Sequence, residues 1–113
     1  MPVTNIQPAE LSAWLSDAAR GRPLLLDVRE PWEIAAARID LPGARCVNIP
    51  MRELPGRLAE LDPAQAILGL CHHGVRSLQC VSFLLQLGYR DAYNIAGGID
   101  AWSREIDASV PRY

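Results

Sequence analysis

Residues 66–77 read Ala66-Ile67-Leu68-Gly69-Leu70-Cys71-His72-His73-Gly74-Val75-Arg76-Ser77. The first five form an apolar run of strand length, and a strongly apolar pattern at helical spacing follows from about Leu78 to Leu87. The stretch predicts a strand, a tight turn and a helix, with Cys71 in the turn. Open α/β sheets place their ligands at such strand-to-helix turns. Backbone N–H groups at the start of the helix curl toward the sulfur, and the positive end of the helix dipole points at it. These surroundings favour a thiolate, the reactive form of cysteine. Cys71 is therefore a candidate nucleophile.

Strand and helix signals alternate on both sides of this stretch. Val3 to Ile6 predicts a short first strand. Pro8 suits a helix start, with Leu11, Trp14 and Leu15 at helical spacing and Gly21 as a stop. Leu24-Leu25-Leu26-Asp27-Val28 is an apolar run of the kind found in strands buried on both faces. Pro31 to Ala37 predicts a short helix, Cys46-Val47-Asn48-Ile49 a strand ended by Pro50, and residues 52–61 a weak helix interrupted by Pro55 and Gly56. After the helix at 78–87, stopped by Gly88, come a strand from Ala92 to Ile95 and a helix from Ile99 to about Ile106. This alternation predicts an α/β fold, a mostly parallel central sheet with helices on both faces. Leu78, Val81, Phe83, Leu84 and Leu85 wrap most of their helix's circumference, which predicts a helix enclosed by its neighbours.

Within the turn, Cys71 to Arg76 is a Cys-x4-Arg loop with Gly74 at its middle. Glycine permits the positive φ that tight curling around a sulfur demands, and inward N–H groups make an anion nest. Arg76 offers a fixed positive charge for an anionic substrate, and Ser77 suits the N-cap of the following helix. His72 and His73 shape the loop or raise its potential, with charge that varies near neutral pH. These residues, with Val75, are the candidate substrate contacts. Three adjacent side chains rarely converge on one tetrahedral ion, so Cys71, His72 and His73 are not read as a metal site, and no cofactor is expected. Cys80, inside the apolar helix, and Cys46, in a strand, read as core packing. Redox pairing of Cys71 with either of them is a further alternative, subject to a suitable Cα separation.

Asp27 ends its strand at the edge where ligands bind, so Asp27 and Arg29 line the site. Alternatively Asp27 caps a turn and Arg29 and Glu30 form ordinary ion pairs; the residues leave both open. Trp32 and Trp102 read as core or lid aromatics, and Gly97-Gly98 as the tight turn into the last helix.

The 113 residues suffice for one domain, and with half of them hydrophobic a core forms without metal or disulfide staples. A formal net charge of −2 argues against a nucleic-acid partner. No apolar run approaches the roughly 18 residues of a membrane span. With three cysteines and no secretory signal after Met1, a reducing cytoplasm is expected.

Three segments resemble the rhodanese-like sulfurtransferases: Asp27-Val28-Arg29-Glu30-Pro31-Trp32-Glu33, Cys71-His72-His73-Gly74-Val75-Arg76-Ser77, and Asn94-Ile95-Ala96-Gly97-Gly98-Ile99-Asp100-Ala101-Trp102. They stand in the family's order and spacing, and the likeness spans nearly the whole chain as a single rhodanese domain over 1–113. Gly43-Ala44 and Asn48-Ile49-Pro50 look like the family's intervening segment, whereas Arg38-Ile39-Asp40-Leu41 and the additional Arg45-Cys46-Val47 depart from it. The resemblance implies a persulfide-forming cysteine at Cys71. It takes sulfur from a small donor such as thiosulfate and gives it to a thiol or cyanide acceptor, in two-step covalent catalysis. A protein persulfide partner, with the domain as sulfur carrier or regulatory module, is the alternative. The fold's phosphatase relatives resemble Cys-x5-Arg; the shorter loop here suits a single sulfur atom, which leaves phosphatase or arsenate reductase the minor enzymatic alternative.

Overall fold

Leu24, Leu25 and Leu26 show how the apolar runs are used. Successive strand residues point to opposite faces, and Leu24 and Leu26 enter one hydrophobic core while Leu25 enters another. The computed structural model describes residues 2–17 and 21–113 and arranges five strands into one sheet, all neighbours parallel. These are β1 (Asn5–Ile6), β2 (Leu24–Asp27), β3 (Arg45–Asn48), β4 (Ile67–Leu70) and β5 (Ala92–Ile95), in the spatial order β1-β5-β4-β2-β3. The helices are α1 (Leu11–Leu15), α2 (Pro31–Ala36), α3 (Val75–Gln86) and α4 (Gly98–Glu105). Each sheet face carries a core. One joins β2 and β4 to Val81 and Leu84 of α3, and the other joins them to Leu11 of α1 and Ile99 of α4. The predicted α/β class and parallel sheet are thus what the chain adopts. Among the described residues, no helix is long and apolar enough to cross a membrane.

The chain runs from β2 outward to β3, returns over β2 to β4, and continues away to β5. The direction of winding reverses between β2 and β4, so a crevice opens at their carboxyl ends. Asp27 ends β2 there, and Cys71 directly follows β4.

Several elements differ from the sequence expectation. The helix predicted from Pro8 toward Gly21 is a 3-10 turn, Pro8–Glu10, running into a short α1; its predicted continuation over 18–20 lies outside the described residues. The weak helix at 52–61 is two 3-10 segments, Met51–Gly56 and Leu58–Glu60, because Pro55 cannot supply an α-helical N–H. Helix α3 begins at Val75, three residues before the apolar pattern does. It is also not enclosed on all sides. Ser77, Cys80, Val81 and Leu84 form its buried stripe, while Leu78 is exposed and Phe83 and Leu85 are half-buried. A helix laid on a sheet buries one stripe, and Leu78 and Phe83 line a shallow cavity with Val3. Cys46 is exposed on edge strand β3 rather than packed in the core. Trp32 is 65% exposed on α2, whereas Trp102 is half-buried against the second core.

Candidate active site

Strand β4 delivers Cys71 to the switch point, and the chain turns within three residues into α3. Gly74 is the N-cap of that helix, at φ +95° in the left-handed region. A side chain there would be strained, and its Cβ would stand 3.0 Å from the backbone nitrogen of Gly97. Ser77 is therefore not the cap expected from sequence. It lies in the first turn of α3, fully buried, with its hydroxyl turned back toward the cysteine.

The Cys71 sulfur is buried and has two polar neighbours. The Gly74 N–H donates to Sγ at 3.0 Å, and Ser77 Oγ lies 3.3 Å away. Ser77 Oγ also donates to Oδ1 of buried Asn94 at 2.5 Å. The Asn94 amide is oriented by its own donations, from Nδ2 to the Gly74 carbonyl at 3.1 Å and to Asn5 Oδ1 at 2.9 Å. A serine hydroxyl has a single proton. With that proton on Asn94, a protonated Cys71 donates to Ser77 Oγ; with the thiol ionised, the hydroxyl can rotate and donate to sulfur. This inner wall is built of neutral dipoles.

The other side of the loop is held by α4. The Ile99 and Asp100 N–H groups donate to the carbonyls of Cys71 and His72 at 2.9 and 3.0 Å. Gly98 brings the helix this close. A Cβ on it would lie 2.4 Å from the Cys71 carbonyl oxygen and 2.6 Å from that of His72. The Gly97-Gly98 pair thus buttresses the loop as well as turning the chain into α4.

The outer wall is built of charges. Both terminal nitrogens of Arg76 bind the Glu33 carboxylate, Nη1 to Oε1 at 2.6 Å and Nη2 to Oε2 at 2.8 Å. Tyr113 Oη donates to Glu33 Oε2 at 2.7 Å, and the Glu30 N–H donates to Oε1 at 3.0 Å. These donors, Arg76 first, hold the Glu33 carboxyl down at about 2 against the desolvation of its buried site. Arg76, expected to offer a free charge to substrate, is already paired.

Asp27 and Arg29 are brought to each other rather than to the cysteine. Nε and Nη2 of Arg29 bind the Asp27 carboxylate at 2.9 and 2.8 Å. Nη1 donates to the Ala37 carbonyl at 2.8 Å and to Tyr113 Oη at 3.1 Å. Arg29 has no exposed surface, so it anchors the end of α2 and Tyr113 beneath the outer wall. Asp27 also accepts the Arg29 N–H at 3.1 Å, a local turn of the kind the sequence left open, while Glu30 pairs with Arg52.

The two histidines differ. His73 is exposed; His72 is half-buried and stacks on both His73 and Tyr113, each ring pair 3.9 Å apart. Burial and then the neighbouring His73 lower the His72 pKa below its ordinary value, which favours its neutral form. Val75 is 63% exposed at the rim. His72, His73 and Asp100 each bring one possible metal-ligand atom within 4.8 Å of the others. The two imidazole planes lie only 24° apart, so their in-plane lone pairs do not converge, and Asp100 is bound by Arg104 and Arg112, each at 3.0 Å. The cluster is a poor cation site.

Sequence reading missed Glu33, Asn94 and Tyr113. Glu33 had a local signal: Glu30-Pro31-Trp32-Glu33 has the spacing of a capping box with proline at the first helical position, and that box forms. Asn94 is a polar residue within an apolar strand, which invites a search for its partner. Tyr113 contacts residues 41 to 84 positions away and left no signal.

The chain matches the family model described as Rhodanese-like domain over residues 7–105. It is 37% identical over 102 residues to a sulfurtransferase of Allochromatium vinosum, covering 90% of each chain. It is 38% identical over 117 residues to the rhodanese-like/PpiC domain-containing protein 12, chloroplastic, of Arabidopsis thaliana; there it covers 99% of this chain but spans only 38% of the relative. The solved structure of the human single domain sulfurtransferase TSTD1 superposes with a TM-score of 0.70 at 30% identity, covering 92% of this chain and 98% of that one.

Proposed function

The chain belongs to the family of rhodanese-like domains, and from that premise we propose that it moves a sulfane sulfur from thiosulfate or a related donor to a thiophilic acceptor through a persulfide on Cys71. Its similarity to sulfurtransferases supports transfer of sulfur in general. The observation that carries the finer reading is the pair of donors at Sγ, the Gly74 N–H and the Ser77 hydroxyl, in the short Cys71-x4-Arg76 loop. In the first half-reaction the thiolate attacks the outer sulfur of the donor, whose S–S bond breaks as the Cys71 persulfide forms. In the second, the acceptor attacks the outer sulfur of the persulfide and Cys71 leaves as a thiolate. Ser77 and Gly74 serve both halves, since each begins or ends with negative charge on Sγ.

Arg76 is engaged by Glu33 through both terminal nitrogens, and this weighs against the phosphatase or arsenate-reductase alternative, which needs that fork for an oxyanion. Trp32 and Val75 are largely exposed on the outer side of the loop and support a second reading, in which sulfur is exchanged with a protein persulfide partner. We place the reaction in a reducing cytoplasm because it depends on a free thiol.

Steady-state assay with thiosulfate and cyanide tests the proposal. Thiocyanate is expected from the wild-type protein and none above background from Cys71→Ser. Equal turnover by the variant would contradict it.

A further inference from the structure

Arg76 carries the only fixed positive charge of the Cys71–Ser77 loop, and that charge is cancelled where it stands. Glu33, with 3% of its side chain exposed, grips Arg76, whose own side chain is 34% exposed. The pair therefore sits at the boundary between the loop and solvent. Of the neighbouring cations, Arg29 is matched by Asp27, while Arg104 and Arg112 share the one carboxylate of Asp100 and keep their side chains about half exposed to solvent. Burial favours the neutral form of His72. A site for a small dianion would be expected to keep an arginine fork open, and this one keeps it closed.

We propose that Glu33 is a specificity-determining residue which, by neutralising Arg76, sets the Cys71 site against dianionic sulfur donors and in favour of persulfides. The inference rests on the sulfur-transfer reading of Cys71. With thiosulfate the step is Cys71–S⁻ + S–SO3²⁻ → Cys71–S–S⁻ + SO3²⁻. One S–S bond forms and one breaks, the bonding pair leaves with sulfite, and three negative charges meet before separation. With a protonated persulfide the step is Cys71–S⁻ + R–S–SH → Cys71–S–SH + R–S⁻, with the same bond exchange and one negative charge. The backbone N–H at Sγ and the Ser77 hydroxyl suffice for one charge. Three are met less well, because the cation that would offset them is paired with Glu33, so thiosulfate reacts more slowly than a persulfide.

The purified protein is exposed separately to thiosulfate and to cysteine persulfide, and Cys71 persulfide formation is followed by mass. The persulfide should react at least about tenfold faster in the wild type, and Glu33→Gln, which keeps the shape but frees the Arg76 charge, should raise the thiosulfate-to-persulfide ratio by about tenfold or more. The salt dependence of the wild-type rate needs no variant and decides the matter if Glu33→Gln does not fold. Added salt should speed the thiosulfate reaction, as for like charges, and leave the persulfide reaction nearly level. A thiosulfate rate that exceeds the persulfide rate or falls with salt would overturn the proposal, as would an unmoved ratio in folded Glu33→Gln. Absence of any Cys71 adduct from either donor would instead overturn sulfur transfer itself.

Discussion

The two walls of the Cys71 loop are made of different materials. The inner wall, toward Ser77, Asn94 and the start of α4, holds the sulfur and the loop carbonyls with neutral dipoles. The outer wall, toward α2 and Tyr113, is a set of ion pairs in which every charge is matched. Neutral dipoles in a buried site can serve a charge that comes and goes on sulfur, because they impose none of their own. Matched ion pairs fix geometry and control which charges approach. The inner wall belongs to reactivity and the outer wall to selection.

The largest break in this comparison comes from Gly98→Ala. The added Cβ meets two loop carbonyls within 2.6 Å at φ +61°, so the loop must shift. Sulfur transfer should fall by about a hundredfold, the scale of a misplaced reacting atom, and backbone strain alone should cost roughly 1–3 kcal/mol in thermal or chemical unfolding. Single-turnover persulfide formation together with an unfolding curve checks both. Next is Ser77→Ala, which removes one donor to sulfur and leaves Asn94 Oδ1 without its partner. Transfer should slow by about tenfold, equivalent to about 1.4 kcal/mol, for neutral and anionic donors alike. A loss confined to thiosulfate would assign selection to the inner wall and collapse the distinction.

Smaller effects are expected from the outer wall. Tyr113→Phe keeps the stack on His72 but loses the bonds to Glu33 and Arg29, and should cost about 1 kcal/mol of stability. Burial, with Glu33 beside it, pushes the Tyr113 phenol up to about 12 from an ordinary 10.0. The folded state therefore holds its proton longer than the unfolded state, and this contribution is full below pH 10 and lost as pH rises toward 12. Glu33 has the opposite sign. Its carboxyl is depressed from 4.5 to about 2, so its contribution is full above 4.5 and disappears as pH falls toward 2. Unfolding curves across both windows should show the two losses; Tyr113→Phe should abolish the alkaline one and only shrink the acid one, where Arg76 remains the main donor to Glu33.

The inner wall was largely legible in the sequence. Cys71, Gly74 and Ser77 lie within seven residues, and their geometry follows from a strand, a left-handed glycine and a helix start in immediate succession. Ser77 was singled out for the wrong task, because α3 starts three residues before its apolar stripe and carries the hydroxyl inward. The outer wall was hidden. It depends on Arg76 meeting Glu33 across 43 positions and on Tyr113 meeting Glu33 across 80, and side-chain periodicity carries no trace of such pairings. The same limit explains Cys46, read as core because it lies in a strand; the edge position of β3 is fixed by sheet order, which local pattern does not encode.

The central claim is that one thiol of three is equipped to carry sulfur. Cys80 is buried like Cys71, but burial in apolar surroundings pushes its thiol up to about 11, and among the described residues no hydrogen-bond donor reaches its sulfur; Cys46 is exposed on the sheet edge. Peptide-resolved mass spectrometry after a brief exposure to a sulfur donor should find the mass of one added sulfur on Cys71 and on neither of the others. Sulfur on Cys46 or Cys80 with Cys71 unmodified would contradict the account.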